Sequence, residues 1–297
     1  AIAGKLNMEK DQIAYYTGSD MKGEMIPAEN FKYVDEEGNE HAGLVSYTSE
    51  KDENGEDVIT YGEALEDMDH LGDKAVKGED EEGNHTSLSY TGKIYAEESG
   101  EYRINVIQKF PDDSDYTDSD KTFMSGSLTV NGVNVGASTR MIMNGAPNAN
   151  SSVATADMGD GYNNWNLCGG YIELEAGNWY DISYTVSSIY GEDIEYALTW
   201  VTPSQREADV EEAVKGAESA DTAVVFVWQD AASASTNADS MNGITNLKGG
   251  QLEMLKAVSE AYDKVVVVCN NGDAFNVGSF ENDADAILEM WWPGQEG

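Results

Sequence analysis

The stretch "TAVVFVW", Thr222 to Trp228, decides the fold. A run with no polar residue inside it cannot keep one wet and one dry face, so it predicts a strand buried on both sides. Two further runs of the same kind follow, "KVVVVC" at 264–269 and "DAILEMWW" at 285–292. Between the first two lies "GGQLEMLKAVSEAY" at 249–262, whose apolar residues recur at helical spacing. Strands of this type alternating with helices predict a parallel sheet covered on both sides. Just upstream, Ser204 and Glu207 form a capping box. Val210, Ala213, Val214 and Ala217 carry it into a helix over about 204–219.

Residues 88–202 follow a different rule. Short runs such as Tyr102-Ile104-Val106, Leu128-Val130, Ile182-Tyr184-Val186 and Tyr196-Leu198-Trp200 alternate with period two, which predicts an antiparallel sandwich or barrel. "VNGVNV" at 130–135 places Asn131-Gly132 where a two-residue type I′ hairpin needs positive φ twice, and "EAGNW" at 175–179 offers a second turn. The first residues hold a helix-like "AIAGKLN", a short strand "QIAYYTG" at 12–18 and an extended "GEMIPAENF" at 23–31, too little to fold alone. The expected class is therefore α/β plus all-β. Residues 1–42 and 204–297 form an incomplete α/β sandwich with a mostly parallel sheet, interrupted at 43–203 by an inserted antiparallel β-sandwich.

Charge removes several function classes. With 56 acidic and 17 basic residues the formal net charge is −39, a surface that repels nucleic-acid phosphates and anionic lipid. The acids gather in "VDEEGNE" (34–40), "EKDENGED" (50–57) and "KGEDEEGN" (77–84), each with a turn dipeptide, and read as solvated turns. "DDSDYTDSD" at 112–120 has carboxylates enough for calcium but lacks the glycine of a helix-loop-helix calcium loop; no metal or other cofactor is expected. Cys168 and Cys269 fall in different predicted domains and read as small buried hydrophobes. "VVVV" at 265–268 is far too short to span a bilayer, and the N-terminus lacks the architecture of a leader. His41, His70 and His85 sit in acidic turns, and no serine lies in a nucleophile elbow. Nucleotide-binding glycine motifs are absent as well.

The aromatic and amide mixture "GDGYNNWNLCGGY" at 159–171 suits sugars, because a flat ring stacks on pyranose C–H groups while amides bond hydroxyls. Trp165, Asn163 and Asn164 are the candidates there, with packing of Trp165 under its own loop as the alternative. Trp228, at the carboxyl end of its strand, is a further candidate, while Trp179 and Trp200 read as core. The pair Trp291-Trp292 reads either as packing at a strand terminus or as one ring facing a crevice.

Together, "ADTAVVFVW", "GGQLEMLKAVSEAYDKVVVVCNNGDAF" and "AILEMWWPGQEG" resemble the C-terminal α/β sandwich domain of family 3 glycoside hydrolases. "LSYTGKIYAEESGEYRINV", "GSLTVNGVNVG" and "GYIELEAGNWYDISYTV" resemble the protective-antigen-type β-sandwich that some members carry within it. The resemblance implies a β-glucosidase-like retaining enzyme that acts on an oligosaccharide or glycoside. It also implies a nucleophile in a barrel domain, or partner chain, outside these residues, and further elements after the Pro-Gly-Gln-Glu-Gly turn. Many members place an acid/base Glu in the loop matching 229–251, which here reads "QDAASASTNADSMNGITNLKGGQ" with neither Glu nor Arg. Counting back from Gln251 puts Ala238 near that position and Asp239 beside it. Three readings stay open: Asp239 or Asp230 is a shorter acid, a Glu enters from elsewhere, or activity is lost. Against the first stands the ordinary role of Asp in such loops as a turn or cap residue. The alternative function is a carbohydrate-binding module or an inactive relative.

Overall fold

The computed structural model describes residues 13–65, 85–109, 124–143, 146–149, 165–189, 195–228, 246–247, 249–271 and 276–291. These fall in two compact units. The first takes its described residues from before Met21 and after Pro203; the second is Met21–Pro203. The predicted helix "AIAGKLN" and the acidic run at 112–120 lie outside the described residues.

The second unit is antiparallel throughout. One sheet orders β1 (Glu24–Met25), β13 (Glu195–Val201), β7 (Gly100–Lys109) and β11 (Trp165–Leu174). The other runs β10 (Ala146–Ala149), β9 (Val133–Met143), β8 (Met124–Val130), β12 (Trp179–Ile189), β6 (His85–Tyr95), β2 (Phe31–Val34) and β3 (Glu40–Ala42). At β6 it also takes on β4 (Leu44–Lys51), which pairs with β5 (Asp57–Leu65). Alternation buries Tyr102, Ile104 and Val106 from β7 against Leu128, Val130, Ile182, Tyr184 and Val186 from the facing sheet. The hairpin at 130–133 has the expected form, with Asn131 at φ 50° and Gly132 at φ 75° between the paired Val130 and Val133. Trp200 is core, but Trp179 is not: it lies half-buried outside the core, its ring tilted against Tyr95 and capped by the Lys32 ammonium 4.3 Å from its centroid.

The sequence reading placed residues 1–42 with the α/β part, whereas the second unit begins at Met21. Glu24 and Met25 pair with Trp200 and Thr199, and Phe31 pairs with Ile94. A buried polar group holds the lead-in. Arg103 donates from Nε to the Met21 carbonyl (3.1 Å), and Asn105 donates to the carbonyls of Met21 (3.0 Å) and Lys22 (3.1 Å). Thr199 Oγ1 donates to Lys22 as well. These side chains lie on the face of β7 and β13 opposite the apolar core, so each buried carbonyl there is answered by a side-chain donor.

Three glycines bring the two sheets into main-chain contact. A Cβ on Gly136 of β9 would sit 2.6 Å from the amide nitrogen of Gly169 in β11, and one on Gly170 would run into the Val135 carbonyl. No larger residue fits at that corner.

The first unit holds the parallel strands. β14 (Thr222–Trp228) pairs with β15 (Lys264–Asn270), and β15 with β16 (Ala286–Glu289). Helix α1 (Pro203–Lys215) continues as a 3-10 turn to Glu218, and α2 (Gln251–Ala261) joins β14 to β15. Ala213 of α1 and Met254, Leu255 and Val258 of α2 cover Val225, Val227, Val265, Val267 and Cys269. The opposite face is only partly covered, with Phe226 48% and Leu288 56% exposed. The predicted strand at 12–18 does not form in its described part: Tyr16 instead packs beside Gly216 and Tyr262.

Gly136→Ala should destabilise the second unit by about 2 kcal/mol or more, since the added methyl meets main chain rather than a movable side chain; urea unfolding of the variant measures it. The net charge of −39 opposes compactness through self-repulsion. Raising NaCl from about 0.01 M to about 1 M shortens the screening length from ~30 Å to ~3 Å. The thermal midpoint is therefore expected to rise by roughly 3 °C or more, the shift that ~1 kcal/mol produces at this size, followed by circular dichroism.

Candidate functional site

In open parallel sheets, ligands sit outside the carboxyl ends of the strands. Here those ends present Trp228 from β14, Asn270 and Asn271 from β15, and Met290 and Trp291 after β16. Trp228 and Asn270 are register partners, so their side chains share a face.

Trp228 is fixed by Gln251, the first residue of α2. The Gln251 Oε1 accepts the Trp228 backbone N–H at 2.8 Å, and Gln251 Nε2 donates to the Trp228 carbonyl at 3.0 Å. The amide acts as one extra strand residue on the free edge of β14, and it is fully buried there. The residues before it are held as tightly. Gly249 and Gly250 both adopt left-handed φ (68° and 72°), the Gly249 carbonyl accepts Ser19 Oγ at 2.9 Å, and a Cβ on Gly250 would run into the Arg206 side chain. The chain thus leaves the sheet at Trp228 and returns at Gln251 through one clamped point.

Trp228 is half-buried, and its indole N–H is shut off from solvent with no acceptor among the described residues. Trp291 has φ 57°, a left-handed conformation that is strained for a large aromatic. Its N–H donates to Glu289 Oε1 at 3.0 Å, and the residue is 55% exposed, so it is not the packed terminal ring of the burial reading. Asn271 is fully buried at the end of β15. Cys269 is no nucleophile: burial, with the nearby Glu289 charge adding to it, pushes its thiol up to about 11. Asp285 serves the fold, its Oδ2 accepting the Val265 N–H at 2.8 Å where β15 begins.

Of the residues singled out in the sequence, Trp228 and Trp291 stand in this group with described side chains. Asp230, Asp239, Asn163 and Asn164 lie outside the described residues. Trp165 opens β11 in the second unit, paired with Lys109, and its side chain lies outside the described ones. Gln251, Asn270 and Asn271 are not among the site residues read from the sequence. The doubled Asn270-Asn271 at a strand end was the one available signal for the amides. Among the described residues no group of three or more His, Cys, Asp and Glu is arranged to hold a metal. No described helix is long and apolar enough to cross a membrane.

The carboxyl edge thus presents one half-buried and one exposed tryptophan beside two asparagines. Comparison with known proteins identifies the family. Residues 73–297 match the glycosyl hydrolase family 3 C-terminal domain, and the chain belongs to that family. It is 34% identical over 86 residues to an exo-alpha-(1->6)-L-arabinopyranosidase of Bifidobacterium breve (29% of this chain, 11% of the relative). It is 32% identical over 97 residues to a periplasmic beta-glucosidase of Salmonella typhimurium (33% of this chain, 12% of the relative). The crystal structure of DesR, a beta-glucosidase from Streptomyces venezuelae in complex with D-glucose, superposes with a TM-score of 0.58 at 21% identity, covering 95% of this chain and 26% of that one. The chain therefore spans about a quarter of that enzyme, and its matched stretches about a tenth of the curated relatives.

Gln251→Leu removes both partners of the Trp228 main chain. The expected loss is about 2 kcal/mol, from buried groups left without hydrogen bonds, with faster amide exchange at Trp228 read by NMR or mass spectrometry.

Proposed function

We propose that this chain contributes the sugar-facing C-terminal part of a β-glucosidase-like glycoside hydrolase that acts on terminal β-linked sugars. On this reading the three-stranded parallel sheet belongs to an α/β sandwich, and the second unit is a protective-antigen-type β-sandwich set within it. The observation that carries the reading is that the carboxyl ends of three neighbouring parallel strands present Trp228, Asn270 and Trp291, in a chain belonging to glycosyl hydrolase family 3. A pyranose ring laid on the accessible part of the Trp228 indole would stack by its C–H face, and the partly exposed Asn270 paired with it offers a donor and an acceptor to hydroxyls.

Retention of configuration needs two carboxyl groups about 5–5.5 Å apart, one a nucleophile and one an acid/base. We assign the nucleophile to a barrel domain or partner chain outside these residues. Asp230 and Asp239 are the candidates for the acid, carried on the stretch whose two ends Gln251 clamps. A second reading, binding without turnover, is favoured by one observation: residues 229–251 contain no Glu. Trp165, Asn163 and Asn164 would then serve as contacts for longer substrates in the second unit.

Calorimetric titration of the chain with methyl β-D-glucopyranoside should show saturable binding. Trp228→Ala, which removes the stacking face, should weaken it about fivefold, the value of an aromatic contact near 1 kcal/mol. Absence of saturable binding overturns the reading. Release of p-nitrophenol from a β-glucoside by the chain alone would refute the assignment of the nucleophile elsewhere.

A further inference from the structure

The geometry points to a second carbohydrate contact, a stacking ledge for neutral oligosaccharides on the β4–β5 ribbon, built on Tyr47 and Tyr61. It rests on the reading above only in that the protein handles glycosides.

The ribbon starts in the core, where Leu44 and Leu65 are paired and buried, and Val45 pairs with Ala64 on the other face. The register then shifts: between Val45 and Tyr47 β4 advances two residues while β5, from Ala64 to Tyr61, advances three. Strict alternation would put Tyr61, four residues from Leu65, on the core face. The extra residue turns it over, so Tyr61 stands directly across from Tyr47 on the face that Leu44 does not use. Gly62 lies at the bulge, packed against the Ser46 hydroxyl, which a Cβ there would displace. A bulge that re-aims one aromatic residue out of the core is a feature with a use beyond packing.

Ser49 and Ile59 form the next pair on the Tyr47–Tyr61 face. Tyr61 and Ile59 are each 50% exposed, and among the described strands β5 pairs only with β4. Cross-strand neighbours have Cβ atoms about 5 Å apart, so the half-exposed Tyr61 and the less exposed Tyr47 rise from the same face, and phenol rings so placed suit the C–H faces of consecutive pyranoses. Charge selects among glycans. Glu50, Glu53, Glu56 and Glu63 are exposed along the same ribbon, on a chain of net charge −39, which repels uronates and sulfated sugars and leaves neutral chains. The same charge opposes pairing of two copies through this ribbon.

The test is affinity of the chain for cellopentaose, with oligogalacturonate of equal length as the anionic probe. Wild type should bind cellopentaose and not oligogalacturonate. Tyr61→Ala should weaken cellopentaose binding at least tenfold, Tyr61→Phe should stay within threefold, and deletion of Gly62, which restores alternation and turns Tyr61 over, should match Tyr61→Ala. Near-ultraviolet circular dichroism and binding of methyl β-D-glucopyranoside, too short to need the ledge, report that each variant is folded. Unchanged cellopentaose affinity in Tyr61→Ala, with methyl glucoside still bound by wild type, overturns the ledge and leaves the proposed function standing. If wild type binds neither neutral probe, both fall. Sedimentation showing a wild-type dimer that Tyr61→Ala dissociates would assign the ribbon to self-association and overturn the proposal.

Discussion

Main-chain amides and carbonyls that leave a sheet still require partners, and in both units side chains supply them. In the first unit the Gln251 amide answers both polar groups of Trp228, which sets where the strand ends and where the connection to α2 begins and closes. In the second, Arg103, Asn105 and Thr199 answer the carbonyls of Met21 and Lys22 and so lay the lead-in segment against the sheet. Without these donors the edges would be open and the aromatic groups that depend on them unplaced. Polar groups at these positions are costly to bury, and these hydrogen bonds offset that cost.

Much of the fold was legible in residue pattern. The apolar runs at 222–228 and 264–269 became β14 and β15, and Asn131-Gly132 made its turn, because both signals are local. Residues 13–20 group with the first unit as expected, whereas 21–42 group with the second and no strand forms at 13–18, because distant partners decide both. Tyr16 settles beside Gly216 and Tyr262, and Glu24 finds Trp200, contacts that no local periodicity encodes. Trp179 was assigned to the core from alternation alone, yet the strand's first residue lies outside the core, where Lys32 and Tyr95 take it up.

The site was legible in the same measure. A tryptophan ending an apolar strand is visible in sequence, and so is a family resemblance, which the match over residues 73–297 bears out. The role of Gln251 is not, because its partner lies 23 residues earlier and is main chain rather than a side chain. Nor does sequence disclose that Trp291 takes a left-handed φ, since nothing about tryptophan favours it. The flip of Tyr61 belongs here too: its spacing from Leu65 points to one face, and a single extra residue at the register shift delivers the other.

The glycine contact between Gly136, Gly169 and Gly170 has a mechanical meaning. Two layers that touch backbone to backbone have no side chain between them to slide or compress, so that border behaves as the spine of a book. The spacing of the layers at that border is therefore set by main chain alone, and any change of side chain elsewhere in the sandwich must be accommodated away from it.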